Sequence, residues 1–122
     1  MSEMITSGVT LAVDMRKNRI RVHRCTLHKL GDPKFIQLLV HPEKKVVAIR
    51  ALDHDLPGDQ AHKVSRATML SDNSFEIYSR TFITKLCEVA GGLKSGCYRM
   101  EGAVDPGHTL ALFHMDTLKP VE

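Results

Sequence analysis

The segment Phe35-Ile36-Gln37-Leu38-Leu39-Val40, closed by His41-Pro42, most limits the folds open to this chain. Asp32 as an N-cap and Pro33 at the first helical position would start a helix there, but barely two turns remain before Pro42. Pro42 suits the second position of a turn, and Lys45-Val46-Val47-Ala48-Ile49-Arg50 beyond it is rich in β-branched residues. The expectation is a hairpin over residues 36–50. In that hairpin Phe35 and Leu39 share one face and Ile36, Leu38 and Val40 the other, so both faces are apolar. Such a strand needs a layer on each side, from the chain's one clear helix or from a second subunit. A homodimer would supply that layer.

The other elements follow from periodicity. Residues 19–27 read as a strand, with Ile20, Val22, Arg24 and Thr26 on one face and Arg19, Arg21, His23, Cys25 and Leu27 on the other. Residues 1–15 read as an N-terminal extension, in which Val9, Leu11, Val13 and Met15 alternate as in a strand or fray as a tail. Residues 53–73 are polar and turn-rich around Leu56-Pro57-Gly58-Asp59, a long surface loop with a short strand near residues 63–67. A short strand over residues 75–78 precedes Ser79, which caps a helix over residues 80–90. Phe82, Ile83, Leu86, Val89 and Ala90 form its apolar stripe, and Gly91-Gly92 ends it. Residues 97–101 and 109–115 read as antiparallel strands joined through Asp105-Pro106-Gly107. No internal repeat is visible. With 122 residues the chain is one domain. The fold class expected is α+β: a small, mostly antiparallel sheet in the order β-ββ-loop-α-ββ packed with one principal helix, over residues 16–122.

Charge supplies the strongest functional signal. Between Asp14 and Asp32 there is no acid, yet Arg16, Lys17, Arg19, Arg21, Arg24 and Lys29 fall there with His23 and His28. The whole chain nets only +3, so cationic character is localised. A localised basic strip is the electrostatic footprint of a polyanion or of an acidic protein surface. Six aromatic residues and no Trp leave few platforms for base stacking, which favours contact with the phosphate backbone. The competing explanation is a solvated strand whose charges keep an edge from aggregating.

Other constellations carry less chemistry. Asp53, His54, Asp55 and His62 offer oxygen and nitrogen donors at short range for a metal, with Asp59 nearby, but match no defined ligand template. Cys25, with basic neighbours and His23 on its strand face, is the one candidate for a thiol nucleophile; a core filler is the simpler account. Ser71-Asp72-Asn73 and Lys94-Ser95-Gly96 match two elements of penicillin-recognising serine enzymes, but the Ser-x-x-Lys element is absent. Residues 91–96 have a glycine-rich, phosphate-loop composition in the wrong order and after a helix rather than a strand. Three widely spaced cysteines argue for reduced thiols, and the N-terminus lacks the features of a secretory signal. No run approaches the length of a membrane span, so a cytoplasmic protein is expected.

Gly31-Asp32-Pro33, the hairpin with Pro42-Glu43-Lys44-Lys45 and Ala48-Ile49-Arg50, the Ser79 helix and Tyr98-Arg99 together resemble a group of small uncharacterised bacterial proteins associated with mobile genetic elements. The resemblance spans residues 19–118 and implies one small α+β unit without an assigned activity. The functional expectation is a non-enzymatic module, without cofactor, that binds nucleic acid through Arg16, Lys17, Arg19, Arg21, Arg24 and Lys29. The alternative is a protein-interaction factor, an inhibitor or accessory subunit from a mobile element, docking the same residues on an acidic surface. A metal-dependent enzyme is the third reading.

Overall fold

The structure, a computed structural model, describes residues 6–59, 61–64, 74–105, 107 and 109–121. Among these, eight strands form one antiparallel sheet that curls into a nearly closed, barrel-like layer, with two short helices. The strands are β1 (Thr6–Asp14), β2 (Arg19–His23), β3 (Phe35–His41), β4 (Val46–Leu52), β5 (His62–Lys63), β6 (Ser74–Tyr78), β7 (Cys97–Asp105) and β8 (Leu110–Val121). The helices are α1 (Arg24–Lys29) and α2 (Arg80–Val89). The expected small sheet packed with one principal helix is thereby corrected. The sheet is the body of the molecule, and its curvature makes one core without a covering helical layer.

Two local features account for the larger sheet. Thr6–Asp14, read as part of an extension, lies between β2 and β7, with Val9, Leu11 and Val13 buried. The strand expected over residues 19–27 stops at His23, where a helix begins and buries Thr26 and Leu27. Alternation fits Arg19–His23 and fails beyond it, because Thr26-Leu27 are adjacent buried residues, a helical spacing. The hairpin over residues 36–50 is present as β3 and β4, and Ser79 caps α2, its Oγ accepting the Phe82 N–H at 3.2 Å. Of the short strand expected near residues 63–67, Lys63 lies in β5 and Val64 follows it outside any strand; residues 65–73, with Ser71-Asp72-Asn73, lie outside the described residues.

The strand order β5-β3-β4-β8-β7-β1-β2-β6 is that of two interleaved copies of one ββαββ unit, β1-β2-α1-β3-β4 and β5-β6-α2-β7-β8. Equivalent strands meet in antiparallel pairs, β2 with β6 and β4 with β8, as a two-fold axis requires. The register repeats as well. One constant shift carries Ile36, Leu38 and Val40 onto Met100, Gly102 and Val104, and the left-handed Lys45 (φ 54°) onto the left-handed Thr109 (φ 53°). The same shift exchanges two hydrogen bonds, Ala51 N–H to Thr109 O at 2.9 Å and Met115 N–H to Lys45 O at 3.0 Å. Both helices also close alike. Gly31 and Asp32 N–H reach His28 and Leu27 carbonyls, as Gly91 and Gly92 reach Glu88 and Cys87.

The core is the inner face of the barrel. Leu11, Ile20, Val22, Ile36, Val47, Ile49, Met100, Val104 and Phe113 are essentially inaccessible, and Phe82, Ile83 and Leu86 of α2 join them. A β-bulge between Arg99 and Glu101 bends the β7–β8 hairpin, held by Thr117 Oγ1, which accepts the Glu101 N–H at 2.8 Å and donates to His114 O at 2.6 Å. The bulge divides the outer surface of the hairpin into an Arg99/Lys119 side and an Ala103/Leu112 side.

Candidate nucleic-acid interface

Period-two alternation turns Ile20 and Val22 of β2 into the core and leaves Arg19, Arg21 and His23 on the outer face. Pairing with the neighbouring strands then fixes what lies beside each of them. One outward row runs Glu76 (β6), Arg21 (β2), Ala12 (β1), Arg99 (β7) and Lys119 (β8). The next row runs Tyr78, Arg19, Asp14, Cys97 and Val121. Neighbouring strands stand about 4.8 Å apart, so Arg21 and Arg99 flank the Ala12 methyl roughly 10 Å from each other at the backbone.

Two carboxylates are built into this surface. Asp14 is 4% exposed; its Oδ1 accepts the N–H groups of Arg16 at 3.0 Å and Lys17 at 3.4 Å, and its Oδ2 lies 3.5 Å from Arg19 Nη2. Burial pushes that carboxyl upward, but those backbone donors, the Cys97 thiol and the Arg16 guanidinium together hold it below its ordinary value. Glu76 Oε2 lies 2.8 Å from Arg21 Nη2 and 3.7 Å from Arg19 Nη1, and its Oε1 accepts from the Tyr78 hydroxyl at 3.3 Å. Arg19 is therefore clamped between two acids, and Arg21, its side chain 40% exposed, pairs with Glu76. His23 is half-buried. Burial first, then the positive charges of Arg21 and Arg99, lowers its pKa, so the imidazole registers the local cationic field.

The six cations read from the sequence occupy three places. Arg16 and Lys17 sit in the β1–β2 turn, Arg19 and Arg21 on the outer face of β2, and Arg24 and Lys29 on α1. Arg16 approaches Asp14 at 3.6 Å and Cys97 Sγ at 3.7 Å. The sheet gathers Arg21 of that set with two residues that the sequence analysis passed over, Arg99 and Lys119, both exposed and outside the ion pairs found among the described residues. Arg99 alternates with Tyr98 and Met100 in a segment read as a strand, so its outward direction was available; its neighbours were not.

The remaining candidates stand apart from this face. His54 Nδ1 and Asp53 Oδ1 are 2.7 Å apart and exposed, and Asp55 Oδ1 accepts the Leu56 N–H. His62 is in β5, and the described residues contain no group of three His, Cys, Asp or Glu side chains placed to share an ion. Cys25 is exposed on α1, off the strand that was to align it with His23. Cys87 Sγ accepts the Leu93 N–H at 3.2 Å and lines a cleft with Met15, Asn18 and Ile83. Residues 91–96 follow α2 and lead into β7, with Gly91 and Gly92 both left-handed. No helix among the described residues is long and apolar enough to cross a membrane. Comparison with family models, with curated proteins and with solved structures finds no match for this chain.

Proposed function

We propose that this protein is a non-enzymatic module that holds the phosphate backbone of nucleic acid against the outer face of β2, β1, β7 and β8. The observation that supports this reading is the cross-strand row Arg21–Ala12–Arg99–Lys119, in which strand register sets three basic residues around one small residue on the outer face. Arg16 and Lys17 at the adjoining turn extend the cationic surface. Arg19 has a different part: held by Asp14 and Glu76, it braces the strand rather than meeting the ligand. Binding of this kind proceeds by phosphate neutralisation with release of counterions and is largely blind to base sequence.

Titration of duplex and single-stranded oligonucleotides over a salt series tests the reading. Arg99→Ala and Lys119→Ala are expected each to reduce the slope of log affinity against log salt by about one. Affinity that ignores salt, or that survives the double substitution, removes it.

A protein partner is the second reading. Tyr78 (63% exposed) and Val121 (46% exposed) bracket the row next to the cationic one, and Tyr with Arg is a composition enriched at protein interfaces. An inhibitor or accessory subunit docked on an acidic surface would need Tyr78, so Tyr78→Ala separates the two. It abolishes protein docking and leaves the oligonucleotide salt slope in place.

A further inference from the structure

The outer face on the other side of the bulge has the opposite character. Its central cross-strand row is Leu39–Ala48–Leu112–Ala103, drawn from β3, β4, β8 and β7. Leu39 is 38% exposed, the other three are partly exposed, and none belongs to the hydrophobic core or packs against it. This row lies across the β4–β8 pairing, at the internal two-fold relationship between the two ββαββ units.

The rows on either side are charged, and the charge is split by half. The β3–β4 half carries the Arg50 guanidinium and the His41 imidazole, whose Nδ1 accepts the Lys44 N–H at 3.2 Å and leaves Nε2 to donate; the β7–β8 half carries the Glu101 and Asp105 carboxylates, with His114 beside Glu101. His41–Val46–His114–Glu101 forms one flanking row and Gln37–Arg50–Leu110–Asp105 the other. A surface that is apolar in the middle, cationic on one side and anionic on the other complements itself through a two-fold axis parallel to the strands.

We infer that this face is a homodimer interface, occupied by a second copy of the chain. Rotation about an axis between β4 and β8 lays Leu39 over Ala103 of the second copy and Ala48 over its Leu112. It brings His41 toward the second copy's Glu101, and Gln37 and Arg50 toward its Asp105. Aligned sheets pack about 10 Å apart and cross near −30°, so the small Ala48 and Ala103 let the larger Leu39 and Leu112 interdigitate. The face also answers a feature of β3: Leu39 points away from the core that takes Ile36, Leu38 and Val40. This interface is distinct from the cationic row and stands whether or not that row binds nucleic acid.

Sedimentation velocity of the full chain over a wide concentration range tests the inference. The expected result is a reversible dimer of the 13.6 kDa chain. Leu112→Asp should weaken self-association on the order of tenfold or more, since it places a charge at the apolar centre. Because Leu112 is outward, its melting transition should stay near that of the unsubstituted protein. Glu101→Lys alone should also weaken the dimer, and adding His41→Glu should restore it, a rescue that loss of folding cannot imitate. A monomer at every concentration, a dimer insensitive to Leu112→Asp, or no rescue by the charge exchange would each overturn the inference.

Discussion

Arg21 and Glu76 face each other across the β2–β6 pairing, Nη2 2.8 Å from Oε2, at the point where the two ββαββ units are related by two-fold symmetry. The pair therefore joins the first unit to the second by an ion pair.

Glu76 occupies the place a phosphate would take beside Arg21, so it competes with any polyanion for that guanidinium. Glu76→Gln removes the charge and keeps an acceptor for Arg21 and Tyr78. Oligonucleotide affinity should rise several-fold and the salt slope steepen by about one. Stability should change by less than about 1 kcal/mol, as is usual for partly exposed pairs. A tighter complex with an unchanged slope would show that Glu76 acts through shape rather than charge.

His23 offers a readout inside the face. Its lowered pKa means that the unfolded chain takes up a proton first as pH falls through 6.5, the ordinary histidine value. Its contribution to stability is therefore full above that value and declines between it and the lower folded value. Burial is the larger cause of that lowering, and a polyanion laid on Arg21 and Arg99 offsets the smaller, cationic one. The pKa of His23, followed by NMR, should move upward on adding oligonucleotide, and affinity should strengthen as pH falls toward the lowered folded value. A His23 titration that ignores the ligand would place the ligand elsewhere.

Much of the fold was legible strand by strand, and little of it as a whole. The β3–β4 hairpin, β6, α2 with its Ser79 cap and the β7–β8 hairpin carry local signals: turn residues, alternation and capping. The pairing of β1 with β7 carries no such signal, because Leu11 meets Met100, a partner distant in the chain, even though alternation marks each strand by itself. The internal repeat was hidden for a similar reason. Equivalent core positions pair residues as unlike as Leu38 and Gly102, and only Leu30-Gly31-Asp32-Pro33-Lys34 against Ala90-Gly91-Gly92-Leu93-Lys94 retains a trace of common wording. The cationic site was half legible. Basic residues near the amino end stood out, but which of them face carboxylates depends on Glu76, far along the chain.

Gly102 shows what the internal repeat conceals. Its neighbour Phe113 is fully buried, and a Cβ at residue 102 would fall on the Leu112 carbonyl oxygen and within 2.8 Å of the Phe113 ring. Backbone cannot yield there as a flexible side chain could. Gly102→Ala should cost about 1–3 kcal/mol through overpacking. Ser79→Ala, which removes a helix cap and leaves packing alone, should cost about 1 kcal/mol. Urea unfolding of the two variants checks the order; a Gly102→Ala protein as stable as the unsubstituted chain would contradict the close approach of β7 and β8.

Asp14 ties the turn after β1 to the face beside it, and acid should expose that link. Its folded pKa lies below the ordinary 3.8, so the stability it contributes is complete above 3.8 and is lost as pH falls through the folded value. Asp14→Ala strips acceptors from the Arg16 and Lys17 N–H groups and should cost about 1–3 kcal/mol near neutrality. Asp14→Asn keeps an oxygen for both N–H groups but surrenders the charge that Arg16 and Arg19 answer, so its cost at neutral pH should be smaller. That cost should then shrink as the unsubstituted carboxylate protonates, until the two unfolding free energies converge in strong acid. Urea titrations of both proteins across the acid range measure the convergence. Curves that stay parallel throughout would mean that the Asp14 carboxylate contributes through hydrogen-bond geometry alone and owes nothing to its charge.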